Sequence, residues 1–471
     1  MRNRNKKPFS EQQKKSGDSL VKGFLMIVML LFFLMLYSVL YEHSNFLSDN
    51  FKQVNSLPIN KTILKRSTVE QEKTQLFNQR KFLFALREKK RRDSIKKIVK
   101  RINPQNGLHN FFLALDSLEK HNNSSCRIAY YGDSMIEGDL MSMTLRQAFQ
   151  KDFGGQGIGY MPITSQTNNF RINIDHQFSE NWKKRSLLDV TDLEFPIGIS
   201  GEVFFNDTSS TVNHRVFYKA SKRRFADHFP TTTLFYGKSK NKETVNRLTF
   251  NDIPFVLEGD KIINSVLLSQ QELKDIVLDF NLTNTLPIYG VSIESKKGVL
   301  LDNFALRGNS GTSLSYIQPN VLKSFDKEFN YDLIILQFGL NVVSGKTSFN
   351  WYKNRMKRVI RHFKDNIPNA SILLVSVPDM SYKNTEGVME TNPSIPYLVA
   401  AQSTAADESN VSFFNLYEAM GGENSMVNWV EELKYANKDY THFNFRGANY
   451  ASKLLYKFLI SNFNTFTSTK N

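Results

Sequence analysis

The sequence predicts an α/β body built on a parallel sheet, interrupted by an antiparallel β-sandwich and preceded by one transmembrane helix. Three observations predict it. Over the last third of the chain, apolar runs such as YDLIILQFG and SILLVSV alternate with helix-period segments, as strands joined by crossover helices do. Between Ser165 and Gly298 the texture changes to short strand-like runs set apart by Gly, Asn, Asp and Lys clusters, the pattern of a sandwich. Finally, Gly23 to Leu40, GFLMIVMLLFFLMLYSVL, runs eighteen residues without a charge, just long enough to cross a bilayer.

Residues 1–22 form a basic tail with seven Lys+Arg against two acids. That flank predicts a single-pass anchor over 23–41 in the inner (cytoplasmic) membrane, with the N-terminus cytoplasmic and everything after Tyr41 outside. A cleaved signal peptide is the rival reading; against it, the run is long for such a segment and no small-x-small cleavage site follows. Residues 42–103 are polar and then strongly basic, ending in REKKRRDSIKKIVKR. They read as a solvated helical stalk, or alternatively as a patch for anionic lipid head groups or envelope polymers.

The formal charge of +16 first brings nucleic acid to mind. Its distribution excludes that class: residues 1–103 hold 23 Lys+Arg against 8 Asp+Glu, and the rest of the chain 38 against 37. The body is nearly neutral. The single Cys126 also excludes an intramolecular disulfide framework and any cysteine-based metal cluster.

The α/β body begins with residues 104–164. After the helix breaker Pro104-Gln105-Asn106-Gly107, LHNFFLALDSLEKH reads as a helix packed on the body. CRIAYYGDSMIEGDLMSMTLRQAFQKDF then gives a strand, a tight turn at Gly132-Asp133-Ser134, and a helix with apolar residues at Leu140, Met143, Leu145 and Phe149. A serine at such a turn has its hydroxyl at the carboxyl edge of a sheet and its amide near a helix N-terminus. Gly-Asp-Ser is also ordinary turn and capping chemistry, so its meaning depends on partners elsewhere.

Residues 165–300 supply the sandwich runs RINIDHQF, EVFFN, HRVFYKA, TTLFYG, RLTF, SVLLS and DIVLDF. Residues 301–471 complete the α/β body, with SFNWYKNRMKRVIRHFKDN and IPYLVAAQSTAA as helices, VSFFNL as a strand, and a closing helix from Arg446 to Phe463.

A serine hydroxyl needs a base to take its proton and a third group to hold that base. Among the histidines, His442 combines a loop setting with an acid three residues earlier, Asp439, close enough for the carboxylate to meet Nδ1 while Nε2 faces outward. Oxyanion donors are expected from the amide of Ser134 and from two strand ends, Arg307-Gly308-Asn309 and Phe338-Gly339-Leu340-Asn341, a glycine admitting close approach and an asparagine supplying a directed N–H. Singly, His442 reads as a capping residue, Gly308 as a turn and Asn341 as a strand-end cap. Jointly, all four fall at the carboxyl edge of one predicted sheet.

In that order, Ser134, Gly308, Asn341 and His442 resemble the four blocks of the SGNH (GDSL-type) hydrolase superfamily. The likeness spans Ile128 to Pro162 and Leu286 to Leu459. It is nearest to the subgroup of peptidoglycan O-acetylesterases and related polysaccharide O-acetyltransferases, which IYGVSIESKKGVLLDNFALRGNSG and AMGGENSMVNW followed by DYTHFNFRG also resemble. Two positions depart from it: Met135 stands where these esterases often have histidine, and Val342 where an acid is familiar.

The resemblance implies a three-layer SGNH fold with a carbohydrate-binding-like sandwich between the first and second blocks. It implies a Ser134–His442–Asp439 triad, an oxyanion hole of Ser134, Gly308 and Asn341, and no metal or organic cofactor. The activity implied is removal of O-acetyl groups from an envelope glycan such as peptidoglycan. Two alternatives remain open: an O-acetyltransferase served by a membrane-bound acetyl-donor partner, and a non-catalytic glycan-binding scaffold. A lipase or thioesterase would require a long apolar acyl groove, for which the sequence gives no sign.

Overall fold

Along the chain, helix α1 (His109–Lys120) leads into strand β1 (Ser125–Gly132) and helix α2 (Leu140–Phe153). Eleven strands follow: β2 (Gly157–Met161), β3 (Ile174–Phe178), β4 (Trp182–Ser186), β5 (Glu202–Asn206), β6 (His214–Ala220), β7 (Thr232–Tyr236), β8 (Asn246–Phe250), β9 (Ile253–Leu257), β10 (Asn264–Ser269), β11 (Asp275–Asn281) and β12 (Ile288–Glu294). The α/β part resumes with β13 (Gly298–Ala305), α3 (Pro319–Phe329), β14 (Leu333–Gln337), α4 (Asn350–Asn366) and β15 (Ser371–Val375). A short hairpin, β16 (Ser381–Lys383) and β17 (Met389–Thr391), precedes α5 (Ser394–Glu408), β18 (Ser412–Phe414), α6 (Leu416–Met420), α7 (Ser425–Glu431) and α8 (Phe445–Ser468).

This computed structural model describes residues 107–469 apart from 122–123, 190–195, 207–212, 222–226, 241–244, 283–284 and 345–347, together with 75, 79 and 82 upstream. The residues from 107 onward belong to one unit, Leu86–Asn471. The basic tail, the apolar run of 23–41 and the stalk lie outside the described residues, those three upstream positions excepted. Among the described residues no helix is long and apolar enough to cross a membrane.

The parallel sheet has the order β13-β1-β14-β15-β18. Its strands are mainly apolar because both faces are covered. Ile128 and Tyr130 of β1 enter one core with Phe111 of α1, Leu145 of α2 and Leu455 of α8. Ala129 and Tyr131 enter the other with Phe325 of α3, Val359 of α4 and Leu398 of α5. The same alternation divides Leu333 and Ile335 from Ile334 and Leu336 on β14.

The antiparallel strands form two sheets, β10-β7-β12-β5-β4 with β2 added on β12, and β3-β6-β11-β8-β9. They share one core, in which Phe204, Leu234 and Ile288 from the first meet Val216, Leu248 and Leu278 from the second. Pro254 is accommodated because β9 is an edge strand. The junction with the parallel sheet is ionic as well as apolar. Buried Arg127 of β1 donates to Asp302 of β13 (2.8 Å) and to Glu294 of β12 (2.6 Å), and Asp302 also accepts from Tyr331 (2.8 Å) and from the amide of Tyr160 (2.8 Å). Each of these buried charges is paired, as burial requires.

Candidate active site

Three neighbouring strands, β13, β1 and β14, end at one level. Gly132, the last residue of β1, is in register with Ala305 of β13 and with Gln337 of β14, so the segments bearing Ser134, Gly308 and Asn341 leave the sheet side by side, where α/β ligands bind.

Ser134 stands in a turn in which Asp133 Oδ1 accepts the Met135 amide (3.0 Å) and the Ser134 carbonyl accepts the Glu137 amide (3.4 Å). The sequence places its amide near a helix N-terminus; a one-turn segment, Glu137–Asp139, intervenes before α2. Gly138 and Asp139 both have positive φ there (66° and 64°), and this bend turns Asp139 inward to bind Arg146 (2.7 Å) and Asn173 (2.8 Å). The local turn therefore sets the serine's geometry, with the macrodipole of α2 further off.

Ser134 Oγ lies 3.0 Å from Nε2 of His442. His442 Nδ1 lies 2.8 Å from Asp439 Oδ2, while Asp439 Oδ1 accepts the amides of Thr441 and His442, each at 3.0 Å. With a carboxylate on Nδ1, that nitrogen carries the proton and Nε2 is left to face the serine. Burial acts to raise the Asp439 carboxyl, but the hydrogen bonds from His442 and Thr441 outweigh it and hold the group below its usual range. The turn is fixed by Tyr440, at φ 53°, whose carbonyl accepts the Ser381 amide (3.0 Å). Asn444 then caps α8 by accepting the amides of Arg446 (2.9 Å) and Gly447 (3.2 Å). Gly447 packs on the Tyr435 carbonyl so closely that a Cβ would lie 1.9 Å from it.

Asn341 Nδ2 donates to the Asn309 carbonyl (3.0 Å) and lies 3.4 Å from Asp133 Oδ2, tying the three strand-end segments together. Gly308 has φ 79° with open space around its Cα, so its constraint is conformational rather than steric. Asn309 supports this loop through Oδ1, which accepts the Gly311 amide (2.8 Å) and the Ser313 hydroxyl (2.9 Å). Asp133 is buried, and desolvation pushes its carboxyl up to about 6 against the opposing pull of the Met135 amide and His442.

The structure thus brings together all five residues singled out from the sequence. It adds supports with no local signal. Buried Gln402 of α5 donates to the Phe338 carbonyl (2.7 Å) and accepts the Val377 amide (2.9 Å), holding the turn before Asn341. Arg307 and Glu137 form an ion pair between the Gly308 and Ser134 segments. Met135 and Val342, the departures from the family pattern, are buried packing residues. Three of the other histidines differ from His442: His176, His214 and His362 donate to the carbonyls of Ile163, Asn181 and Ile317, and burial lowers His176 to about 3; His228 also has a carboxylate on Nδ1, that of Asp227 (2.8 Å), but its Nε2 faces Glu272 rather than a serine. Among the described residues no group of His, Cys, Asp and Glu is arranged to hold a metal ion.

A parallel sheet covered on both faces, with serine, histidine and aspartate in relay at its carboxyl edge, defines the class: an α/β enzyme of ester chemistry. Residues 286–449 match the GDSL-like Lipase/Acylhydrolase family. Ser134 lies upstream of the matched stretch because the antiparallel sheets separate the first block from the rest. Among solved structures, a peptidoglycan O-acetylesterase is similar at 20% identity and a TM-score of 0.62, over 76% of this chain and 96% of that one. A family two carbohydrate esterase from Cellvibrio japonicus is 9% identical over 62% of this chain and 98% of its own, with a TM-score of 0.26. A salicylyl-acyltransferase from a tetracycline biosynthetic pathway is 12% identical over 64% and 96%, with a TM-score of 0.27. The first likeness establishes a shared fold; the other two are too distant to bear on the chain. No curated protein matches.

Proposed function

We propose that the protein is a serine esterase that removes O-acetyl groups from an envelope glycan such as peptidoglycan, held at the outer face of the cytoplasmic membrane by residues 23–41. The observation that carries the reading is the relay from Ser134 through His442 to Asp439, set beside a strand-end asparagine and a left-handed glycine. In this mechanism Ser134 Oγ attacks the acetyl carbonyl as its proton passes to Nε2 of His442. The amides of Ser134 and Gly308 and Nδ2 of Asn341 receive the developing oxyanion. The sugar oxygen leaves with the proton from His442, and water, deprotonated in turn by His442, releases acetate and restores Ser134.

Water is favoured over a sugar as acceptor by the openness of the base: the His442 side chain is 39% exposed and that of Asp439 48%. Similarity to a peptidoglycan O-acetylesterase supports a glycan substrate. The test uses the full-length chain in detergent, with and without Ser134→Ala, on O-acetylated peptidoglycan with a chito-oligosaccharide acceptor present. The expected result is free acetate that vanishes in the variant. Acetylated oligosaccharide in place of acetate would make it a transferase working with a membrane acetyl-donor partner. No turnover by a folded protein that still binds glycan would leave a binding scaffold.

A further inference from the structure

Helix α4 concentrates charge that the rest of the body does not carry. Over residues 104–471 bases and acids stand at 38 against 37, yet α4, NWYKNRMKRVIRHFKDN, holds six Lys+Arg against one acid. Like charges three and four residues apart on a helix repel, so such a run weakens the helix unless something outside it supplies the opposite sign.

The fold supplies only part of it. Lys353 and Lys357 share Glu408, and Lys364 donates to the carbonyls of Ser409 (2.7 Å) and Asn410 (3.2 Å). Arg355, Arg358 and Arg361 are exposed, and among the described residues none of them has a carboxylate in ion-pair range. Helical spacing sets the three in one stripe with Trp351, within an arc of about 120° and over a length of about 15 Å. The acid of α4, Asp365, lies one turn beyond Arg361. Of the helices packed beside α4, α3 carries two bases and two acids and α5 two acids. The three helices together thus hold eight bases against five acids, and the excess stands on the outer face of α4.

The two ends of the stripe differ. Trp351, 45% exposed, opens α4 at the carboxyl edge of the sheet, where the hydroxyl of Tyr352 donates to the Ser310 carbonyl (3.2 Å), two residues after Gly308. At the other end, Asn110 donates to the carbonyl of Asn369 (2.8 Å), three residues past α4. The chain from the N-terminal apolar run therefore joins the body beside the C-terminus of α4. A row of guanidinium groups ending in an exposed indole is what a surface lying on an anionic bilayer presents, the cations on phosphate and the ring at head-group level.

We propose that the outer face of α4 docks the body on anionic phospholipid head groups, with Arg355, Arg358 and Arg361 on phosphates and Trp351 at the interface. This docking rests on the reading of residues 23–41 as an anchor: for a chain already held at the bilayer, a contact too weak to recruit free protein suffices. An acidic polymer is the competing occupant; chain entry at one end of the stripe and a single tryptophan at the other favour the bilayer. Docked in this way, the edge bearing Ser134 works on glycan close to the membrane.

The test places full-length protein in vesicles of phosphatidylcholine alone, or of equimolar phosphatidylcholine and phosphatidylglycerol, each containing brominated phosphatidylcholine to quench tryptophan at the interface. Comparison with Trp351→Phe isolates the signal of Trp351. Anionic lipid is expected to raise the ratio of docked to free body about fivefold for each arginine, about 100-fold together, and high salt should reverse the rise. Arg358→Gln should lower the ratio about fivefold, and Arg355→Gln, Arg358→Gln and Arg361→Gln combined should abolish quenching while p-nitrophenyl acetate hydrolysis is unchanged. Equal quenching in neutral and anionic vesicles, quenching that survives in the triple variant, or none in either vesicle overturns the docking. A Trp351 signal that responds to dextran sulfate but not to anionic vesicles assigns the face to a polymer and overturns it too. Failure to float with neutral vesicles would overturn the anchor alone, since docking is read in anionic ones. Loss of p-nitrophenyl acetate turnover in the unsubstituted protein, with docking intact, would overturn the esterase reading alone.

Discussion

The two ends of the relay are built differently. The serine end grows out of the core: Asp133 is buried, Gly132 is paired on both sides, and the neighbouring turn is pinned by buried Gln402. The histidine end is a surface turn whose acid is nearly half exposed and whose geometry comes from local hydrogen bonds and one left-handed tyrosine. The difference teaches a division of labour. The nucleophile shares its rigidity with the fold, so damage there costs stability and activity together. The base is positioned cheaply and stays open to water, so damage there costs activity alone.

Asp439→Ala should break the comparison most clearly. Without the acid, Nδ1 loses its partner and the tautomer is no longer fixed, so kcat on p-nitrophenyl acetate should fall about 10³- to 10⁴-fold, while thermal unfolding moves little. Asn341→Ala removes one oxyanion donor and should lower kcat about 10²- to 10³-fold with KM near its original value. Gln402→Leu leaves the Phe338 carbonyl and Val377 amide unpaired in the core; denaturant unfolding should show a loss of about 2–4 kcal/mol, with activity per folded molecule reduced by a smaller factor.

The smallest expected effect is one of pH. Burial pushes Asp332, which accepts the Arg127 amide at 2.8 Å, up to about 6. Its value in the folded protein is thus raised above that of the unfolded chain. Its contribution is fully present below the unfolded value, about 3.9, and is lost as pH rises through about 6. Asp332→Asn keeps an oxygen for Arg127 and should remove this loss, gaining about 1–3 kcal/mol over the wild type at pH 8 relative to pH 4. An equal pH slope in the two proteins would contradict it.

The same division decides what was legible in the sequence. Strands buried on both faces announce themselves as apolar runs, so β1, β14 and β15 stand where LIILQ and its counterparts place them. All seven antiparallel runs read from the sequence contain strands, from IDHQF to DIVLDFN. Strand β4, WKKRS, carries three basic residues and no apolar alternation, so its pairing with β5 had no local signal. The relay was legible because its acid and base lie three residues apart. Gln402 was not, since its meaning arises from partners that only the folded chain brings near. The bend at Gly138-Asp139 had no local signal for a related reason: the buried Arg146 draws Asp139 inward.

The most direct measurement is mass spectrometry of the full-length protein quenched during turnover of p-nitrophenyl acetate. The expected result is one acetyl group on the peptide carrying Ser134, absent in Ser134→Ala and accumulating further in Asp439→Ala, where deacylation is slowed more than acylation. Acetate released at an undiminished rate by Ser134→Ala, with no acetylated Ser134 in the parent protein, would contradict a serine nucleophile.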